Sequence, residues 1–431
     1  MTEEVSIAHF SSNGHQAGSA LPGVERVIAT QRELLQAEGI HTTLIVGATD
    51  HSDPESHDIV VVPDIRSAAH PTWAAGQTDV DPATVARIVD QVEDISGGGA
   101  VIAHNTTNAA GHNPPFGVAM AEMADQRERD GGEPVVLWVH DARRASTEQL
   151  QRLLPTVDGT RIALISETRR AQFVDQLEKM RDQGAHVPDY HIEVIGNPID
   201  DQFLAAVHPA PHTITELAPA FHEFTAHYQL PQTEQMAEQI LFGDHDALRI
   251  VVPARIVGQK GIEHAIAVCQ EYQKRYGRHV ALIVTGTPDE RKPENVLYWQ
   301  RIQELIHQTD PQTCSLLFLG GVEWSYMPWL FQHSDLLLAL FTNEGFSLTP
   351  LEAALCGCPA AISTDPAMME TTDYNALVLP SIVLHADIAQ RIHNYLSSGK
   401  PALDTQALRE RTMQMYAAPA IARRTVALLG N

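Results

Sequence analysis

The sequence predicts an α/β protein built from two Rossmann-like, doubly wound domains facing a central cleft. Three observations carry that reading. The chain has 431 residues, two to three times the usual size of one domain. Short β-branched runs alternate with helix-length amphipathic stretches, the pattern of a parallel sheet covered on both faces. The alternation also occurs twice, on either side of a stretch with no strand pattern.

The first set of runs is Val5 to Phe10, Thr42 to Val46, Ile59 to Val62, Ala100 to His104, Val135 to His140 and Arg161 to Ser166. Between the first two, Val24 to Glu38 reads as a helix ended by Gly39, with Val24, Val27, Ile28, Leu34 and Leu35 on one face. The second set is Leu248 to Pro253, Val280 to Thr285, Ser315 to Leu319, Leu336 to Leu340 and Ala360 to Ser363. Residues 206–245, rich in His, Pro, Thr and Gln, read as a connection with helical pieces. The expected division is a first domain over 1–205, the connection over 206–245, and a second domain over 246–404. A C-terminal helix over about 405–431 is expected to pack back on the first domain.

Composition narrows the function. No apolar run approaches the roughly 20 residues that span a bilayer, and the acidic start MTEEVSIAHF lacks the pattern of a secretory signal. A cytoplasmic protein is expected. The formal net charge of -25 disfavours nucleic acid and anionic membranes as partners. Cys269, Cys314, Cys356 and Cys358 lack zinc-site spacing and read as reduced core residues. Asp244-His245-Asp246, a lone D-x-D lookalike, reads as solvated charge, and no metal is implied.

The strongest chemical signal is the run Asn343 to Pro359, which follows an apolar strand and leads into a helix. As local structure, Thr349 reads as the N-cap, Pro350 as the first helical residue, and Glu352 as the partner completing a capping box. As chemistry, free N–H groups and partial positive charge at the helix start suit a diphosphate. Gly345 would allow close approach, Glu352 would accept from ribose hydroxyls, and Glu344 would reach hydroxyls of a transferred sugar. The second signal is Arg255 and Lys260, two cations on one loop after the first strand of the second domain, placed to neutralise a diphosphate.

These two segments together resemble the retaining GT-B glycosyltransferases of family 4, whose signature is an arginine and lysine loop followed by an E-x7-E element. The likeness extends to Leu282 to Pro288, Asn197 to Asp200 and Ser334-Asp335, and covers most of residues 190–385. It implies a metal-independent enzyme without a cofactor, using a UDP- or GDP-type sugar as donor. Arg255 and Lys260 would bind the diphosphate with backbone donors from Phe346, Ser347, Leu348 and Thr349. Glu352 would hold the ribose, Gly320, Gly321 and Val322 would flank the base, and Glu344 would contact the donor sugar. The family transfers with retention, commonly described as a front-face reaction, so Glu344 acts by position and charge rather than as a general base.

In the first domain, His140 closes a strand where the family has a histidine near the donor sugar, and is assigned with Glu344 to the catalytic set. Ser12 to Gly23 stands where the family has a glycine-containing loop; Gly14, His15 and Gly18 are assigned to the acceptor. The polar cluster after the fourth strand adds Asn105, Asn108 and His112 to that assignment. The expected acceptor is a small, soluble, polar molecule, and the expected setting is specialised metabolite biosynthesis. Two other readings are carried: a GT-B-shaped epimerase or hydrolase, and an inactive GT-B binding protein. Oligomeric state is left open, with a homodimer as the candidate.

Overall fold

The computed structural model describes residues 4–10, 23–47, 58–67, 71–141, 145–205, 207–243, 246–290, 292–380 and 384–430. The chain divides into two units, one of residues 1–198 and 416–431, the other of residues 199–415.

The first unit is built on seven parallel strands: β1 (Glu4–His9), β2 (His41–Val46), β3 (Ile59–Val61), β4 (Ala100–His104), β5 (Val135–Val139), β6 (Arg161–Leu164) and β7 (His191–Val194). Their order is β3-β2-β1-β4-β5-β6-β7. The second unit has six: β8 (Leu248–Val252), β9 (Val280–Val284), β10 (Cys314–Phe318), β11 (Leu336–Ala339), β12 (Ala360–Ser363) and β13 (Leu377–Leu379), in the order β10-β9-β8-β11-β12-β13. Each sheet reverses direction once, at β1/β4 and at β8/β11. Ligands of such sheets bind beyond the carboxyl ends of the strands that flank the reversal.

Buried strands explain why most were readable: β4, β5, β8 to β12 carry near-continuous Val, Ile, Leu and Ala because helices cover both faces. The sheet of the first unit separates two unlike layers. On one face Ala8, Ala103, Leu137 and Val139 pack with Val85, Ile88, Phe116, Met120 and Leu150 in the main apolar core. On the other, register places His9 beside His104 and His104 beside Trp138. A polar ladder therefore crosses the sheet at its carboxyl end.

Three boundaries differ from the sequence reading. Residues 207–243 belong to the second unit and form the helices Ile214–Leu217, Phe221–Tyr228 and Glu234–Phe242. Their apolar side chains are the reason: Phe224 and Tyr228 pack on Trp299, which packs on Phe318. The expected single C-terminal helix is two, Lys400–Met415 in the second unit and Ala418–Gly430 in the first. Pro419 cannot continue a helix through its own first turn, lacking the N–H and clashing with the carbonyl four residues back. The first unit's longer segment ends at 198 rather than 205.

Ala418–Gly430 packs on the helix Gly23–Ala37, and Arg161 Nη1 donates to Leu428 O at 2.8 Å. No helix among the described residues is long and apolar enough to cross a membrane. All four cysteines are buried and free.

Candidate functional site

In the second unit the loops after β8 and β11, the two strands at the reversal, meet. Thr342 N donates to Gln259 O at 2.9 Å. Lys260 Nζ lies 2.7 Å from Glu344 Oε1, with both side chains 14% exposed, and 4.1 Å from the centre of the Phe341 ring. Gly261 follows with φ +60°, and a Cβ there would lie 2.9 Å from Leu340 O. Only a glycine combines that backbone turn with such close approach.

Arg255, on the same loop, is open to solvent with its side chain 58% exposed, and Nη1 lies 3.3 Å from Asp289 Oδ2. Ile256 N donates to Thr287 O at 2.9 Å, tying this loop to the segment after β9. An exposed pair of this kind contributes little to stability, so Arg255 is available to a ligand at small cost to the fold.

Glu344 is held through its backbone. Its N–H donates to Asp365 Oδ2 at 3.1 Å, while Asp365 Oδ1 accepts from Ala367 N at 3.0 Å and caps the helix Pro366–Thr372. Ser363 Oγ donates to Phe341 O at 2.5 Å and accepts from Asp365 N at 3.3 Å. Asn343 stands at φ +59° at the turn of the same loop. The end of β12 thus fixes the loop that presents Glu344.

The helix after Glu344 runs Leu348–Leu355, and Ser347 is its N-cap, without a side-chain capping bond. The expected capping box at Thr349 is therefore absent. Pro350 sits at the third helical position, where its missing N–H would have had no partner within the helix. Glu352 lies inside the helix and is buried. Burial first, then the neighbouring Glu352 carboxylate, pushes the Cys356 thiol up to about 12. Phe346 and Ser347 are buried, whereas Leu348 and Thr349 are half-buried.

Gly320 and Gly321 follow β10 with φ +69° and +119°. A Cβ on Gly320 would lie 2.4 Å from the Phe224 ring, whereas one on Gly321 would meet open space. Of the two, Gly321 is the one with room beside it, and its N–H donates to Thr285 O at 2.9 Å. Val322 is buried.

In the first unit, His140 is buried rather than presented on an open loop. Its Nε2 lies 3.0 Å from His104 Nδ1, and His104 Nε2 lies 2.8 Å from Gln31 Oε1. Burial lowers the His140 imidazole to about 4, opposed by the adjacent Asp141 carboxylate. Burial and the neighbouring His140 and His9 hold His104 well below the usual histidine range. His9 Nε2 is 4.0 Å from Glu25 Oε1, and burial raises the Glu25 carboxyl.

Asn105 stands at φ +60°, and its N–H donates to Trp138 O at 2.9 Å. Among the described residues, Asn105 Oδ1, Thr106 Oγ1 and Asn108 Oδ1 are buried side-chain oxygens without a hydrogen-bond partner. His112 stacks on Phe10 at 5.4 Å and its Nδ1 lies 3.3 Å from Ser67 Oγ. Gly14, His15 and Gly18 lie outside the described residues, as do Asp244 and His245.

Two sheets of this strand order, one in each unit, define a GT-B fold. Solved structures agree. Anabaena HepE in complex with UDP superposes with a TM-score of 0.65 at 14% identity, covering 99% of each chain. The UDP-forming α,α-trehalose-phosphate synthase from Burkholderia xenovorans gives 0.66 at 13%, covering 100% of this chain and 99% of its own. Sucrose-phosphate synthase from Thermosynechococcus elongatus gives 0.60 at 15%, covering 98% of each.

Residues 234–411 match the family model described as glycosyl transferases group 1. The matched segment contains Arg255, Lys260, Glu344 and Glu352. Comparison with curated proteins by sequence gives no match. Fold and family match together support a GT-B glycosyltransferase.

Proposed function

We propose that this chain is a retaining, metal-independent glycosyltransferase that moves a sugar from a UDP- or GDP-type donor onto a small polar acceptor. The observation that carries the reading is the meeting of Lys260 and Glu344 at the reversal point of the second sheet, with Arg255 on the same loop as Lys260 and the helix Leu348–Leu355 following Glu344 in the chain.

Each part has a physical task. Arg255 offers a planar fork and Lys260 a mobile point charge, which together suit the non-bridging oxygens of a diphosphate better than either alone. The first N–H groups of Leu348–Leu355, with Phe346 to Thr349, add backbone donors to the same anion. Glu352 takes the ribose hydroxyls, Gly321 and Val322 pass beside the base with Gly320 shaping their turn, and Glu344 accepts from hydroxyls of the transferred sugar. Binding a diphosphate gives Lys260 a second anion to share, which frees the Glu344 carboxylate for the sugar.

In the reaction, the bond from the anomeric carbon to the donor phosphate breaks and one from that carbon to the acceptor forms on the same face. The acceptor proton passes to the departing phosphate oxygen, so no protein base is needed. The second unit supplies charge stabilisation for the leaving group. The first unit supplies the acceptor contacts, with His140, Asn105, Asn108 and His112 as candidates.

HepE was solved with UDP, and the Burkholderia enzyme is named as UDP-forming, which favours UDP as the first nucleotide to try. The test is a thermal-shift panel of UDP, GDP, ADP and dTDP with EDTA present, followed by assignment of the product anomer by NMR. A nucleotide at about a hundred times its dissociation constant adds roughly 2.7 kcal/mol. A shift with none of them sinks the donor assignment, and an inverted product sinks retention.

A further inference from the structure

Gln31, His104 and His140 form a hydrogen-bonded line buried at the carboxyl end of the first unit's sheet. Gln31 comes from the helix Gly23–Ala37, His104 closes β4, and His140 follows β5. The line is short at both joints, 2.8 Å and 3.0 Å, and the His104 ring lies against Trp138 at 5.4 Å with 26° between planes. Both residues are buried, and burial holds both imidazoles below the usual histidine range, which leaves them neutral at neutral pH.

A neutral imidazole has one donor nitrogen and one acceptor nitrogen. Gln31 Oε1 can only accept, so the proton of His104 resides on Nε2. His104 Nδ1 is then bare and can only accept, so the bond to His140 requires a proton on His140 Nε2. That leaves His140 Nδ1 as a bare acceptor. One amide oxygen thereby sets the tautomer of a ring two hydrogen bonds away. Turning the Gln31 amide over would reverse every step, placing protons on His104 Nδ1 and His140 Nδ1.

We propose that His104 is a positioning residue which, through Gln31, fixes His140 in the Nε2–H tautomer so that its Nδ1 accepts a hydrogen bond from a substrate hydroxyl. The assignment rests on the reading of His140 as a sugar or acceptor contact. It also sets a chemical preference: a bare nitrogen at this point takes a hydroxyl and disfavours a phosphate or carboxylate oxygen, which has no hydrogen to give.

The experiment is a long-range proton–nitrogen correlation spectrum of the full chain labelled with nitrogen-15 in histidine, at neutral pH. The expected result is both rings protonated at Nε2, with His140 Nδ1 bare. Protonation of His140 at Nδ1 overturns the proposal. His104→Asn keeps an amide oxygen near the place of Nδ1, and should preserve the His140 tautomer and most of the transfer rate. His104→Leu should release the tautomer and lower kcat/KM about tenfold, the worth of one buried hydrogen bond, with nucleotide diphosphate affinity unchanged. A His140 tautomer that persists in His104→Leu also overturns it, and should that variant not fold, Gln31→Leu asks the same question from the other end. Full activity in His140→Ala would instead refute the contact reading, while the spectrum still decides the tautomer.

Discussion

Replacing Asp365 by Asn separates two tasks that one carboxylate performs. Its Oδ2 accepts from Glu344 N at 3.1 Å, and its Oδ1 accepts from Ala367 N at 3.0 Å and Met368 N at 3.4 Å. Asn and Asp are near-equal as helix caps, so a residue that only capped would tolerate the change within a few tenths of a kcal/mol. An amide has one oxygen. In one orientation it keeps the cap and sets its NH2 against the Glu344 N–H, donor facing donor; in the other it keeps Glu344 and loses the cap. Asp365 is buried, so either outcome forfeits a hydrogen bond to a charged acceptor, worth about 1.5–3 kcal/mol. If that bond holds the Glu344 loop in its working geometry, the same free energy lost at the transition state lowers turnover roughly 10- to 150-fold. Urea unfolding measures the first quantity and sugar transfer the second, with UDP affinity as a control for the diphosphate loop. Wild-type stability and turnover in Asp365→Asn would refute the reasoning.

Three further outcomes follow from the same geometry. Glu344→Ala, Lys260→Ala and Arg255→Ala should each lower turnover by about 10²- to 10³-fold, and Arg255→Ala, being at an exposed pair, should unfold within about 0.5 kcal/mol of the parent; unchanged rates would remove these residues from the site. Gly320→Ala should destabilise by roughly 2–5 kcal/mol, from positive φ plus overpacking on Phe224, whereas Gly321→Ala meets only the backbone cost of about 1–3 kcal/mol; equal urea midpoints would contradict the packing. His140, lowered to about 4 in the fold, binds its proton more readily when unfolded, so its contribution is complete above the unfolded value near 6.5 and is lost as pH falls toward 4. The sum is about 3 kcal/mol for this ring, with His104 acting in the same direction, Asp141 opposing, and His9 and Glu25 in the same layer. A stability profile that is flat from pH 7 to 4, or a slope unaffected by His140→Asn, would count against it.

What the sequence revealed follows from how many faces each element buries. Strands β4, β5 and β8 to β12 announce themselves because both faces are covered, whereas β7 (His191–Val194) and β13 (Leu377–Leu379) are edge strands too short or too exposed to carry a pattern. The cations at 255 and 260 and the carboxylates at 344 and 352 were legible because residue type and spacing are local properties. Asp365 and His104 were not, since what they do depends on partners 21 and 73 residues away. The helix start at Ser347, without a side-chain capping bond, rather than at Thr349 shows the limit of composition: a hydroxyl, a proline and a carboxylate at capping-box spacing do not fix where the first turn begins. The burial of His140 could not have been read from its place at a strand end. The break before Pro419, by contrast, was written in the sequence and only needed its proline to be weighed.

The division of the chain at 198 and 415 gives the first unit an unusual order of manufacture. Its seven strands leave the ribosome early, but the helix Ala418–Gly430 that covers Gly23–Ala37 is translated only after the whole second unit. At an elongation rate of about 5–20 residues per second, that helix trails β7 by on the order of 10–45 s. Throughout that interval the part of Gly23–Ala37 that the last helix will contact lacks that cover, and Arg161 has no Leu428 carbonyl to donate to. The nascent protein therefore passes through a stage in which the seven strands of one domain are made while a helix of the same domain is still to come.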